Sequence, residues 1–130
     1  MIHRTSPHVT ILAFVILIAL LATPAFSAPT LPPRAYAIAE ITVTDPEAYQ
    51  QYIAAVTPVV AQFQGKYLVR AGAVVSIEGE APTGRVIVIE FPSLAAAQAF
   101  EASPQYRAIA PLRQKASRTR LFLVEGAPQP

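Results

Sequence analysis

The sequence predicts an α+β domain, with one four-stranded antiparallel sheet and its helices on a single face. Three observations predict it. Residues 66–93, KYLVRAGAVVSIEGEAPTGRVIVIEFPS, hold two β-type runs around a turn-rich GEAPTG. Before them stands a β-branched and aromatic run that ends at Asp45-Pro46 and gives way to a helical pattern. After them the order is mirrored, helix first and then a final β-type run.

Ala35 to Thr44, AYAIAEITVT, reads as the first strand. Asp45 is placed to cap the next helix, with Pro46 at its first position and Glu47 where the helix dipole favours an acid. Tyr49, Tyr52, Ile53, Val56, Val60 and Phe63 recur in steps of three and four and define one buried stripe. Pro58 falls inside it and predicts a kink, and Gly65 predicts the end. The hairpin spans Lys66 to Ile77 and Arg85 to Phe91. Ser93 caps a short helix, Ser103-Pro104 repeats the device for another from Gln105 to about Ala116, and Arg118 to Glu125 is the last strand. The order β-α-β-β-α-β is the split βαβ, or ferredoxin-like, arrangement, with neighbouring strands running 4-1-3-2.

The start of the chain stands apart from this domain. A basic beginning with Arg4, an apolar run from Val9 to Ala22 and small residues around Ala25 and Ser27 form the pattern of a secretory signal peptide covering 1–27. The expected product is periplasmic or secreted, with a proline-rich leader at 28–34, the domain at 35–126 and a tail at 127–130. It would keep nine Lys/Arg against eight Asp/Glu, a balance that argues against nucleic acid or an anionic membrane as partner. His3 and His8 would leave with the signal, and the sequence has no Cys. Nucleophile–histidine hydrolysis and metal ligation by His or Cys are therefore not expected. No Gly-rich phosphate loop is present, and no cofactor is expected.

Side chains alternate across a strand. In strands one, three and four the odd-numbered residues are apolar and would face the helices: Ala37, Ala39, Ile41, Val43, Ile87, Ile89, Phe91, Leu121 and Leu123. The even set is mainly apolar but adds Glu40, Glu90 and Arg120, and the same parity gives it Arg70 from strand two. In the 4-1-3-2 layout these read Arg120, Glu40, Glu90, Arg70. An apolar face with no helix over it needs a cover, and a second copy of the chain supplies the simplest one.

Asp45-Pro46, Tyr49 and Tyr52, the run Gly65-Lys66-Tyr67-Leu68-Val69-Arg70-Ala71-Gly72, Glu78-Gly79, Arg85, Val88-Ile89-Glu90-Phe91-Pro92-Ser93, Ser103-Pro104-Gln105-Tyr106, Arg113 and Leu123-Val124-Glu125-Gly126 together resemble the DUF1330 family. The resemblance spans about Arg34 to Gly126. It implies two ferredoxin-like subunits packed sheet to sheet as a dimeric α/β barrel, and it implies no particular activity. Gln64, Ala71 and Phe100 depart from the usual Gly, Gly and Trp of that pattern.

The function expected on these grounds is binding of a small organic ligand between the two sheets of a homodimer. Arg70, Glu90, Arg120, Tyr106 and Arg113 are the candidate binding residues, and Glu90 and Glu40 the candidate bases. Two alternatives stay open at this point. One is a cofactor-independent isomerase or monooxygenase in which Arg70 orients an oxyanion and Glu90 moves a proton. The other is a structural dimer module whose four charges form an inert ion network. Ser103 reads as a cap, the remaining tyrosines as core or interface, and Glu78, Glu80 and Arg85 as a solvated cluster beside the turn.

Overall fold

A computed structural model describes residues 29–129. The proposed signal peptide and the last residue lie outside them. The elements are β1 (Ala35–Val43), α1 (Pro46–Gln62), β2 (Lys66–Arg70), β3 (Arg85–Phe91), α2 (Leu94–Ala102), α3 (Pro104–Ala116) and β4 (Ser117–Glu125). The sheet order is β2-β3-β1-β4, antiparallel throughout. This is the 4-1-3-2 arrangement that the sequence predicts.

The caps arise from local chemistry. The Asp45 carboxylate accepts from the Ala48 N–H at 3.1 Å and starts α1. Ser93 does the same for α2. Ser103 ends α2 and starts α3, since its hydroxyl donates to the Phe100 carbonyl at 2.7 Å and accepts from the Tyr106 N–H at 3.1 Å. Pro58 leaves α1 continuous, and Thr57 beside it donates its hydroxyl to the Ile53 carbonyl at 2.8 Å. The left-handed residue after α1 is Gln64, at φ 59°, rather than Gly65. Gly65 is needed for space: a Cβ there would stand 2.7 Å from Val60 Cγ1.

Two sequence expectations need correction. The first arm of the hairpin ends at Arg70, and residues 71–84 hold no regular strand. Gly84 closes this segment at φ +69°, pressed so tightly on β1 that a Cβ would meet the Ile41 carbonyl oxygen. The second correction concerns parity in β2. Tyr67 stands opposite Ile89, Val69 opposite Val88 and Arg70 opposite Ile87, so Leu68 is an extra residue in the strand. A bulge of this kind turns the residues beyond it to the other face. Arg70 therefore faces the helices with Tyr67, and not the open face.

The core forms between the odd-numbered residues of β1 and β3 and the inner stripes of the helices. Phe91 and Phe100 are fully enclosed, with ring centres 5.3 Å apart, and Tyr106 lies 4.5 Å beyond Phe100. The opposite face keeps Leu68, Val69, Phe122 and Val124 exposed. Among the described residues no helix is long and apolar enough to cross a membrane.

Candidate functional site

The sheet and helices do not meet everywhere. Under α1 and α3 a cavity of about 50 Å³ remains, floored by Ala37, Ala39, Ile41, Ile87 and Ile89. That is room for roughly four water molecules, or for one small organic molecule in their place. Its walls carry four tyrosines (Tyr49, Tyr52, Tyr67, Tyr106), three arginines (Arg70, Arg85, Arg113) and Glu101.

Each arginine arrives by a different route. Arg113 is on the inward side of α3 and is only 9% exposed. One of its terminal nitrogens donates to the Tyr106 hydroxyl at 3.3 Å, and its guanidinium lies 5.9 Å from the centre of the Tyr52 ring. Arg85 opens β3 opposite Ile41 and packs its guanidinium 5.4 Å from the Tyr49 ring centre. Arg70, brought round by the bulge, stands over Tyr67 at 4.3 Å and donates to the Thr57 hydroxyl at 2.7 Å. Arg70 is exposed at the rim, Arg85 is half-buried, and Arg113 is deep.

Burial pushes the hydroxyls of Tyr49, Tyr52 and Tyr67 above their ordinary range. Arg85, Arg113 and Arg70 all act on Tyr49 in the opposite sense, which places three positive charges around one hydroxyl. Burial also raises the Glu101 carboxyl, with Arg113 partly offsetting it. Burial opposes the charge of Arg113, but Tyr106 and Tyr52 outweigh it and leave the guanidinium firmly protonated.

The predicted site residues fall into two groups. Tyr106 and Arg113 meet in the cavity, and Arg70 joins them from the rim. Glu40, Glu90 and Arg120 belong to the other face. There Arg120 donates to Glu40 at 2.9 Å, across a register that sets the two opposite each other. Glu90 is paired at 3.2 Å with Arg34. The expected row of four charges is thus not one site, and Arg70 and Glu90 cannot act on the same atom. Ser103 serves both helix ends, as read from the sequence.

Five participants go beyond the sequence reading. Arg85 is no solvated turn charge; its odd number and its pairing with Ile41 put it on the helix face. Glu101 comes directly after the buried Phe100, at the end of a helix too short to show a clear stripe. Tyr49, Tyr52 and Tyr67, expected in the core or at an interface, form cavity wall as well. Among the described residues no cluster of His, Cys, Asp or Glu could hold a metal ion.

The model of a domain of unknown function, DUF1330, matches residues 34–127. No curated protein matches. Among solved structures, the RPA0582 protein of unknown function from Rhodopseudomonas palustris is similar at a TM-score of 0.60 and 21% identity, over 78% of this chain and 88% of that one. A hypothetical protein of Arabidopsis thaliana matches at a TM-score of 0.52 and 16% identity, over 80% of this chain and 95% of its own. SnoaB, a cofactor-independent oxygenase from Streptomyces nogalater, matches at a TM-score of 0.49 and 16% identity, over 75% and 96%. The likenesses to the first two concern the fold.

Proposed function

The chain belongs to the DUF1330 family, and from that premise we propose that it binds a small organic molecule in the cavity between sheet and helices. The observation that carries this reading is the cavity itself: an apolar floor, aromatic walls and a few polar groups converging on one space. The place differs from the one expected between two sheets, because the bulge at Leu68 moves Arg70 to the helix side.

The rest of the proposal concerns the setting. Leu68, Val69, Phe122 and Val124 are exposed on a face that no helix of the chain covers. A second copy, laid sheet to sheet about a two-fold axis, would bury this surface and the Arg120–Glu40 pair with it. Such a homodimer would be exported, since the apolar run at 9–22 and the small residues after it have the signal-peptide pattern. A protein recovered from the cell with Met1 still attached overturns the export reading.

One feature favours a second reading, a cofactor-independent isomerase or monooxygenase. Among the described residues Glu101 is the sole carboxylate on the cavity wall, and its burial favours the protonated form, so it could pass a proton to or from a bound substrate. Glu90, held by Arg34 on the far face, is not available for that task.

The test is an NMR screen of the full chain against small aromatic and aliphatic compounds. Binding should move the amide signals of Tyr49, Tyr52, Tyr106 and Arg113. Shifts confined to Ile38, Val88 and Phe122 would return the site to the sheet interface, and no shifts at all would leave the structural module standing.

A further inference from the structure

The cavity has an imbalance that its shape alone does not explain. Arg70, Arg85 and Arg113 all reach it, yet the ion pairs among the described residues are Arg34–Glu90 and Arg120–Glu40, both elsewhere. The undescribed residues contain no Asp or Glu that could make up the difference. Glu101 is within the field of Arg113 but makes no ion pair with it, and its burial biases it toward the neutral acid.

Two atoms sharpen this. The Nε–H groups of Arg85 and Arg113 are buried and have no hydrogen-bond partner. Buried donors of this kind are rarely left unmade, and on a charged group the omission is costly. Arg113 satisfies one terminal nitrogen through Tyr106 and rests against Tyr52, which screens its charge without cancelling it. A buried guanidinium ordinarily has an anion beside it. Among the described residues no such anion stands beside it, and a cavity lies where one would sit.

We propose that the occupant of this cavity is a small organic acid, its carboxylate held by Arg113 and Arg85 and its apolar body resting on the floor of Ala39, Ile41 and Ile87. This rests on the proposed binding function and adds the chemical class of the ligand. A carboxylate is planar and accepts two parallel N–H bonds, the geometry that a guanidinium offers through its Nε and one terminal nitrogen. Arg70, exposed and tied only to Thr57 and Tyr67, is placed at the entrance to draw an anion inward. The hydroxyls of Tyr49 and Tyr106 complete the polar end, and being held neutral by burial in the case of Tyr49, they can donate to the acid.

Matched ligands sized to the cavity test it by calorimetry on the full chain: acetate, acetamide and ethanol, with propionate and propionamide as a second pair. The acids should bind about 10- to 100-fold more tightly than their amides or the alcohol, the range of one or two charge-assisted hydrogen bonds. Arg113→Met and Arg85→Met should each abolish that preference, while Arg34→Met and Arg120→Met, on the far face, should keep it. Should Arg113→Met fail to fold, Arg113→Lys serves, because it retains the charge and removes the fork.

Amides that bind as well as acids overturn the assignment of an acid and leave the cavity as a binding site. Acid preference surviving both arginine variants also overturns it. No binding by any of the five compounds overturns the assignment and the binding function together.

Discussion

On the open face of the sheet two arginines have carboxylates: Arg120 faces Glu40 across two strands, and Arg34 reaches Glu90, while Arg118 stands exposed near the start of β4. On the helix face Arg70, Arg85 and Arg113 have hydroxyls and aromatic rings instead. The two faces are separated by one layer of backbone, so the difference is one of role. Paired charges on an exposed apolar surface suit a neighbour that must fit and be kept in register. Unpaired charges around an enclosed space suit a ligand that brings its own. The lesson is that an arginine's partner says more about its task than its burial does.

That contrast can be attacked from both sides. The largest effect is expected on the helix face, where Phe100→Ala opens a hole between Phe91, Phe63 and Tyr106. It should lower unfolding free energy by about 3–5 kcal/mol, read from denaturant titration. On the open face, Val88→Asp should leave the fold intact but weaken self-association by up to about 3–5 kcal/mol, the cost of an uncompensated buried charge. Sedimentation showing the parent and the variant in the same state would remove the sheet-to-sheet dimer.

A smaller effect concerns Glu101. Its folded-state pKa is raised above the ordinary 4.5, so the folded protein holds a proton that the unfolded chain releases. Stability should therefore be greatest at acid pH, fall as pH rises from 4.5 through the raised value, and then level off. Glu101→Gln should remove this slope, raising Tm relative to the parent at neutral pH and not below pH 4.5. A melting series against pH checks it. The smallest effect is Glu40→Gln in a dissociated protomer, where an exposed pair contributes only about 0.2–1 kcal/mol. If the same substitution costs no more when two copies are associated, the pair is not covered by a partner.

Much of the fold is legible in the residues. Alternation in β1, β3 and β4 marks the buried set, and Asp45, Ser93 and Ser103 mark the helix starts. Glu40 and Arg120 can be placed on one face because nothing interrupts the register between their strands. Arg70 cannot, because a bulge leaves no mark in composition: Leu68 and Val69 are both good strand residues, and only the pairing reveals that one is extra. Arg85 has the right parity, but its nearness to Gly84 and the acids of the turn makes it look solvated. The cavity is illegible for a more general reason. It is a space left between three elements, and no local pattern encodes the fit of one element against another.

The extra residue at Leu68 also bears on how relatives should be compared. Deleting one amino acid there would carry Arg70 across the sheet, from a chamber wall to an outer surface, while hardly altering an alignment. A matching arginine in another chain thus inherits no task until its strand has been counted residue by residue. The loss of a single codon would be enough to move this arginine from one setting to the other.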